Sequence, residues 1–167
     1  MYRVRPSVAH RALRRLQDNP DTEATFTPLN PRVSYLPAQL AWDPFHFPAA
    51  REEVDFVQGI KTVGGNGDPT QNEGLAIHVY AANTGMGRRA YCSTDGDMLI
   101  LPQQGRLDVQ TELGRMMVAP GELCVVQKGI RFKVGLPDGP SRGYIQEVSC
   151  DPNILQPGRH AFQSVVD

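Results

Sequence analysis

Three side chains able to hold a divalent metal stand close together in "YCSTDGDM": Cys92, Asp95 and Asp97 offer a thiolate and two carboxylates. Their spacing argues against that use, because Asp-Gly-Asp is a common turn sequence whose carboxylates bond nearby backbone amides. The histidines, His10, His46, His78 and His160, occur singly, with no H-x-H, H-x-x-E or H-E-x-x-H pair among them. His78, inside "LAIHVYAA", reads as a hydrogen-bonded strand residue rather than a ligand. Nucleophilic and phosphate chemistry fare no better. No G-x-S-x-G occurs, "VGGNGDPT" lacks the Lys-Ser/Thr of a phosphate loop, and Cys124 sits mid-strand, where a thiol behaves as a small apolar group. The residues alone therefore assign no catalytic, cofactor-binding or metal-binding position.

The elements that must carry these residues are short. From Val54 onward, apolar runs alternate with turn residues at intervals of about eight to twelve, the signature of a sandwich or barrel. The expected strands are "VDFVQGIKTV", "LAIHVYAA", "DMLILP", "RLDVQT", "RMMVA", "ELCVVQ", "RFKVGL" and "RGYIQEVS". The connectors, "GGNGDPTQNEG" first among them, are dense in Gly, Pro, Asn and Asp. Residues 1–53 are punctuated by proline and allow only a short helix in "VAHRALRRLQ"; they predict an extended arm laid on another surface, with Trp42, Phe45 and Phe47 as its anchors. Residues 54–149 form the β-sandwich. Residues 150–167 lack periodic apolar positions and are expected to be a mobile tail.

Composition narrows the function classes. With 17 Lys plus Arg against 18 Asp plus Glu, the 167-residue chain has no long-range field to attract nucleic acid or an anionic membrane, so neither is an expected partner. The 3 cysteines are widely spaced and contain no C-x-x-C, which fits a reducing compartment. The absence of a long apolar run or secretory h-region points to a cytoplasmic protein. The arginine-rich start resembles a transit peptide in composition, but Pro6 interrupts the helix that such a peptide needs.

The sandwich resembles a cupin. In cupins the frame glycine, five residues, proline, one residue, glycine, two residues ends in a histidine that faces a metal. Here the frame falls on Gly121, Gln127, Gly129 and Phe132, in "GELCVVQKGIRF". The glycines are expected at positive φ. A phenyl ring has no lone pair for a metal, so Phe132 replaces a ligand with a hydrocarbon. It shares parity with Ile130 and Val134 and is expected to point inward, packing with residues such as Val126 and Val134. The upstream cupin motif, H-x-H with a glutamate before the glycine at Gly105, is replaced by "YCSTDGDM".

Longer runs carry a more specific resemblance. "MYRVRPSVAH", the stretch from "VDFVQGIKTVGGNGDPTQNEG" through "DGDMLILPQQG" and "PGELCVVQKGIRFKV", and "SRGYIQEVS" resemble the N-terminal domain of homogentisate 1,2-dioxygenase over residues 1 to about 10 and about 41 to 148. The resemblance implies an Fe(II) enzyme of tyrosine and phenylalanine breakdown that uses O2 to open the ring of homogentisate, giving maleylacetoacetate. It also implies that the two histidines and one glutamate holding the iron, and the family's catalytic histidine, belong to a C-terminal domain. No such position has a counterpart here, so this chain is expected to be inactive alone and to bind no iron. After Val148 the sequence "SCDPNILQPGRHAFQSVVD" is read as leaving the family pattern, as a truncated gene model, a retained intron or an alternative product does. The expected partners are copies of itself or full-length dioxygenase subunits. The alternatives are a non-enzymatic partner docked on those subunits and a metal-free ligand-binding cupin.

Overall fold

Residues 19–38 and 41–150 are described by a computed structural model. The helix expected in "VAHRALRRLQ", the tail beyond Cys150, and His10 and His160 lie outside these described residues.

The apolar runs after Gly59 become strands, because alternating side chains can bury one face only when the backbone is extended. Among the described residues the strands are β1 (Ile60–Asp68), β2 (Glu73–Ala82), β3 (Asp97–Gln104), β4 (Leu107–Thr111), β5 (Gly114–Val118), β6 (Cys124–Val126), β7 (Phe132–Gly135) and β8 (Ser141–Cys150). They form a five-stranded sheet in the order β1-β2-β8-β3-β6 and a three-stranded sheet in the order β5-β4-β7. All pairings are antiparallel. The described residues thus form an all-β, cupin-like sandwich preceded by irregular, proline-rich chain.

The first strand departs from expectation. Val54–Gly59 makes turns rather than strand, and β1 instead runs through "GGNGD", a segment read as a connector. The cause is a close approach: a Cβ on Gly65 would stand 2.3 Å from the ring of Phe26, an arm residue only 7% exposed. Glycine makes room for the arm, and its sparse side chain disguises the strand. After Asp68, whose side chain accepts from the Thr70 amide, a three-residue 3-10 turn and Asn72 at φ 55° return the chain as β2.

The arm runs along β1, the free edge of the larger sheet. Phe26 N–H donates to Gly67 O at 2.8 Å, Thr62 N–H donates to Asp21 O at 2.9 Å, and Asn19 Nδ2 donates to the carbonyls of Val57 and Ile60. An edge strand left bare invites pairing with another chain, and here the arm occupies part of it. Trp42, expected as an anchor, is 56% exposed. Phe45 and Phe47 are half-buried beside Lys61 and Arg142, so the arm is held mainly by Phe26 and by hydrogen bonds.

Between the sheets lies a core of Phe56, Tyr80, Ile100, Leu107, Val109, Phe132, Val134 and Ile145, all essentially solvent-free. Leu107 and Val109 point in while Gln110 faces water, as their alternation requires. Gly121 and Gly129 adopt φ of +89° and +83°, the left-handed turns that the hairpin frame demands.

Candidate functional site

Strand parity decides which side chains enter the interior. On β2, Ala76, His78 and Tyr80 are buried in turn; β8 presents Ile145 opposite His78 and Glu147 opposite Ala76. Two ionisable groups therefore project between the sheets at one end of the sandwich. His78 and Glu147 side chains are only 6% and 12% exposed, with Nε2 and Oε2 3.7 Å apart. That separation is an electrostatic contact, longer than a hydrogen bond.

Hydroxyls complete the cluster. Thr62 on β1, aligned with His78 in the ladder, places Oγ1 2.9 Å from Nδ1 of the imidazole. Ser93, in the loop before β3, donates its hydroxyl to Glu147 Oε1 and accepts the amides of Asp95 and Gly96 at 3.2 and 3.3 Å. Tyr91 adjoins them. Burial pushes its phenol well above the ordinary value, reinforced by the charges of Glu147 and Asp95 and partly offset by a hydrogen bond with Ser93. A cavity of about 10 Å³ touches Ala76, Asp95, Glu147 and Ser149. It has room for one water molecule.

At the other end the interior is closed by rings. Phe132 is 1% exposed and meets Tyr91 edge-on, at 5.7 Å between centroids and 86° between planes; Phe56 lies 6.3 Å away at 71°. Tyr91 and Phe132 also exchange backbone hydrogen bonds at 2.8 and 2.9 Å. Phe132 packs inward together with Val134, as its parity requires, and both aromatic partners come from outside its own strand. Residues at the two cupin-type motif positions do converge, but as an aromatic contact.

The remaining candidates do not come together. Asp97 Oδ1 accepts the Lys128 amide at 2.7 Å, the Cys92 thiol lies 3.7 Å from the Ser93 carbonyl, and His46 is exposed. Cys124 is buried, which raises its thiol above the usual range. Among the described residues no three of His, Cys, Asp and Glu converge. The iron that the family resemblance implies, held by two imidazoles and one carboxylate, does not fit this donor set: His78 and Glu147 supply one of each, and their other neighbours are hydroxyls.

Sequence reasoning treated His78 as a strand residue with a hydrogen bond, and it has one. It missed Glu147. The signal was available: Glu147 shares parity with buried Ile145, and an acid on the inward face of a strand needs a partner. It also missed Asp55, whose side chain, 3% exposed, is paired with Arg89 at 2.8 Å.

Comparison with known proteins bears on the whole chain. Residues 1–157 match the family described as homogentisate 1,2-dioxygenase N-terminal. The chain is 45% identical over 148 residues to homogentisate 1,2-dioxygenase of Emericella nidulans, covering 89% of this chain and 32% of that protein. It is 47% identical over 157 residues to homogentisate 1,2-dioxygenase of Drosophila melanogaster, covering 93% and 34%. The chain thus spans about a third of the length of these relatives. The match runs from residue 1 to residue 157, so its span takes in the arm and does not stop at Val148. Among solved structures, KdgF from Halomonas sp. superposes with a TM-score of 0.44 at 16% identity, covering 58% of this chain and 84% of that one. A cupin-2 domain protein from Shewanella frigidimarina gives 0.40 at 16% identity, covering 44% and 70%. No helix of the described residues is long and apolar enough to cross a membrane.

Proposed function

This chain belongs to the homogentisate 1,2-dioxygenase N-terminal family, and we propose that it supplies the scaffold part of a cytoplasmic homogentisate dioxygenase while the iron(II) and O2 chemistry is done elsewhere in the enzyme. The observation that carries this reading is the filled interior. Phe132 and Tyr91 pack together where a cupin would present metal ligands, Phe56 backs them, and the hollow at the polar end holds only about 10 Å³. A substituted benzene ring such as homogentisate needs far more room than one water molecule, and the roomier hollow of about 480 Å³ beside Val79, Leu101 and Tyr144 is lined by no His, Cys, Asp or Glu that could hold iron. His78 and Glu147 are then a satisfied structural pair rather than acid and base.

Association with the remainder of a dioxygenase, or with its full-length subunits, accords with the apolar side chains on the surface. Leu113, Leu123, Met117 and Val125 are between 50% and 78% exposed. Apolar surface of this kind marks interaction faces when it is contiguous.

An oxygen electrode tests the proposal. The purified chain, supplied with homogentisate, iron(II) and ascorbate, should show no substrate-dependent oxygen uptake and retain no stoichiometric iron. Uptake that rises in proportion to the chain, in a preparation shown by mass spectrometry to be free of host dioxygenase, overturns it. Mixed with a full-length family dioxygenase, the chain should co-elute in size-exclusion chromatography; separate elution removes the partner reading alone.

A further inference from the structure

Thr62 touches both the arm and the interior cluster, and its hydroxyl has more neighbours than it has protons. Oγ1 receives the Glu23 amide at 2.8 Å. Its single proton has two acceptors within reach: Nδ1 of His78 at 2.9 Å and the Glu23 carbonyl at 3.3 Å. The shorter distance favours the imidazole, provided that Nδ1 carries a lone pair.

Glu147 determines that Nδ1 does. With Nε2 of His78 facing its Oε2 at 3.7 Å, a lone pair on Nε2 would oppose a carboxylate oxygen in a nearly water-free site, whereas an N–H there is attracted. Ser93 bonds the other carboxylate oxygen and is itself fixed by two backbone amides, so Glu147 cannot swing away without leaving the Ser93 hydroxyl proton without its acceptor. The proton is placed on Nε2, and Nδ1 accepts.

We infer that the N-terminal arm is a strap latched from inside the sandwich: His78, held as its Nε2–H tautomer by Glu147, takes the Thr62 proton and leaves Thr62 Oγ1 as an acceptor for the Glu23 amide. Donating its own proton makes a hydroxyl oxygen a better acceptor, so the hold on the arm depends on a carboxylate two strands away. The chain of contacts runs Glu23, Thr62, His78, Glu147, Ser93, and joins the arm, β1, β2, β8 and the loop before β3. His78 is a positioning residue in this scheme. The inference holds whether or not the chain scaffolds a dioxygenase, because it concerns only contacts within the described residues.

Nuclear magnetic resonance on the whole chain tests it. Long-range proton–nitrogen correlations of His78 should show Nε2 protonated and Nδ1 bare at neutral pH; the opposite tautomer overturns the inference. Glu147→Gln removes the charge but keeps the shape, and should convert the single tautomer into a mixture; an unchanged tautomer shows that Glu147 does not set it. Thr62→Val should raise hydrogen exchange at the Glu23 amide by tenfold or more, leave Ile100 and Ile145 protected, and be rescued by Thr62→Ser. Exchange at Glu23 that is unmoved by Thr62→Val overturns the strap, and protection at Ile145 verifies that the variant has folded.

Discussion

The two ends of the sandwich interior solve the same problem with opposite chemistry. At one end Phe132, Phe56 and Tyr80 exclude water with rings, and Tyr91 stands between this end and the other. At the other, Thr62, His78, Glu147 and Ser93 occupy the interior with groups that each require a partner. The aromatic end depends on volume, since dispersion and burial do not care which atom meets which. The polar end depends on direction, because a misplaced donor leaves a neighbour unsatisfied in a dry site. A shared fold thus places a forgiving core beside a demanding one, and the two should respond differently to substitution.

The largest difference is expected at the ring. Phe132→Ala removes a wholly buried phenyl and the edge contacts with Tyr91 and Phe56, and should cost about 3 kcal/mol or more. Phe132→Leu should recover much of that by refilling the space, as measured by urea unfolding. A loss equal to that of the alanine variant would show that the aromatic end is directional after all.

Next in size is His78→Leu, which keeps volume but leaves the Glu147 carboxylate facing hydrocarbon. The expected loss is about 2 kcal/mol. Adding Glu147→Leu should restore most of it, because two apolar groups need no partners. Strict additivity of the two changes would mean that the pair is not coupled. A smaller effect, about 1 kcal/mol, is expected for Tyr80→Phe, which removes the 3.1 Å hydrogen bond to Ser141 while Ser141 retains the Gly105 carbonyl. Burial raises the Tyr80 phenol to about 12, so this loss should be flat across neutral pH.

The smallest effect lies at the surface and serves as the control for both ends. Arg106 grips Asp138 with two nitrogens at 2.8 and 2.7 Å, and its hydrogen bonds draw the carboxyl down to about 2. A depressed carboxylate stabilises the fold above its unfolded value of about 4 and loses that contribution as pH falls through about 2. Asp138→Asn should therefore be slightly less stable than the parent at pH 7, with the two thermal curves converging between pH 4 and pH 2. Because the pair is exposed, the difference should shrink with added salt. A difference that persists at pH 2 would trace the effect to something other than this ion pair.

Much of this architecture was legible from residue types. Alternation in "LAIHVYAA", "DMLILP" and "RGYIQEVS" announces strands because only an extended chain puts every second residue on one face. Gly121 and Gly129 announce a hairpin because their φ angles are closed to other residues. The glycine-rich half of β1 was hidden, since Gly65 is shaped by Phe26, about forty residues earlier, and not by local preference. The candidate cluster was half hidden. His78 and Glu147 each violate the inward apolar pattern of their own strand, but nothing local says that the two violations face each other.

What the amino-acid sequence determined by itself is the period, the turns and the presence at Phe132 of a ring that cannot bind a metal, because these follow from backbone sterics and the chemistry of single side chains. What only the tertiary structure decided is partnership. Register between β2 and β8 sets His78 beside Glu147, the β1 ladder brings Thr62 to the imidazole, and the loop before β3 delivers Ser93. A one-residue slip in any of these pairings would send the same side chains to the opposite face, which is why the sequence pattern alone could not choose the partners.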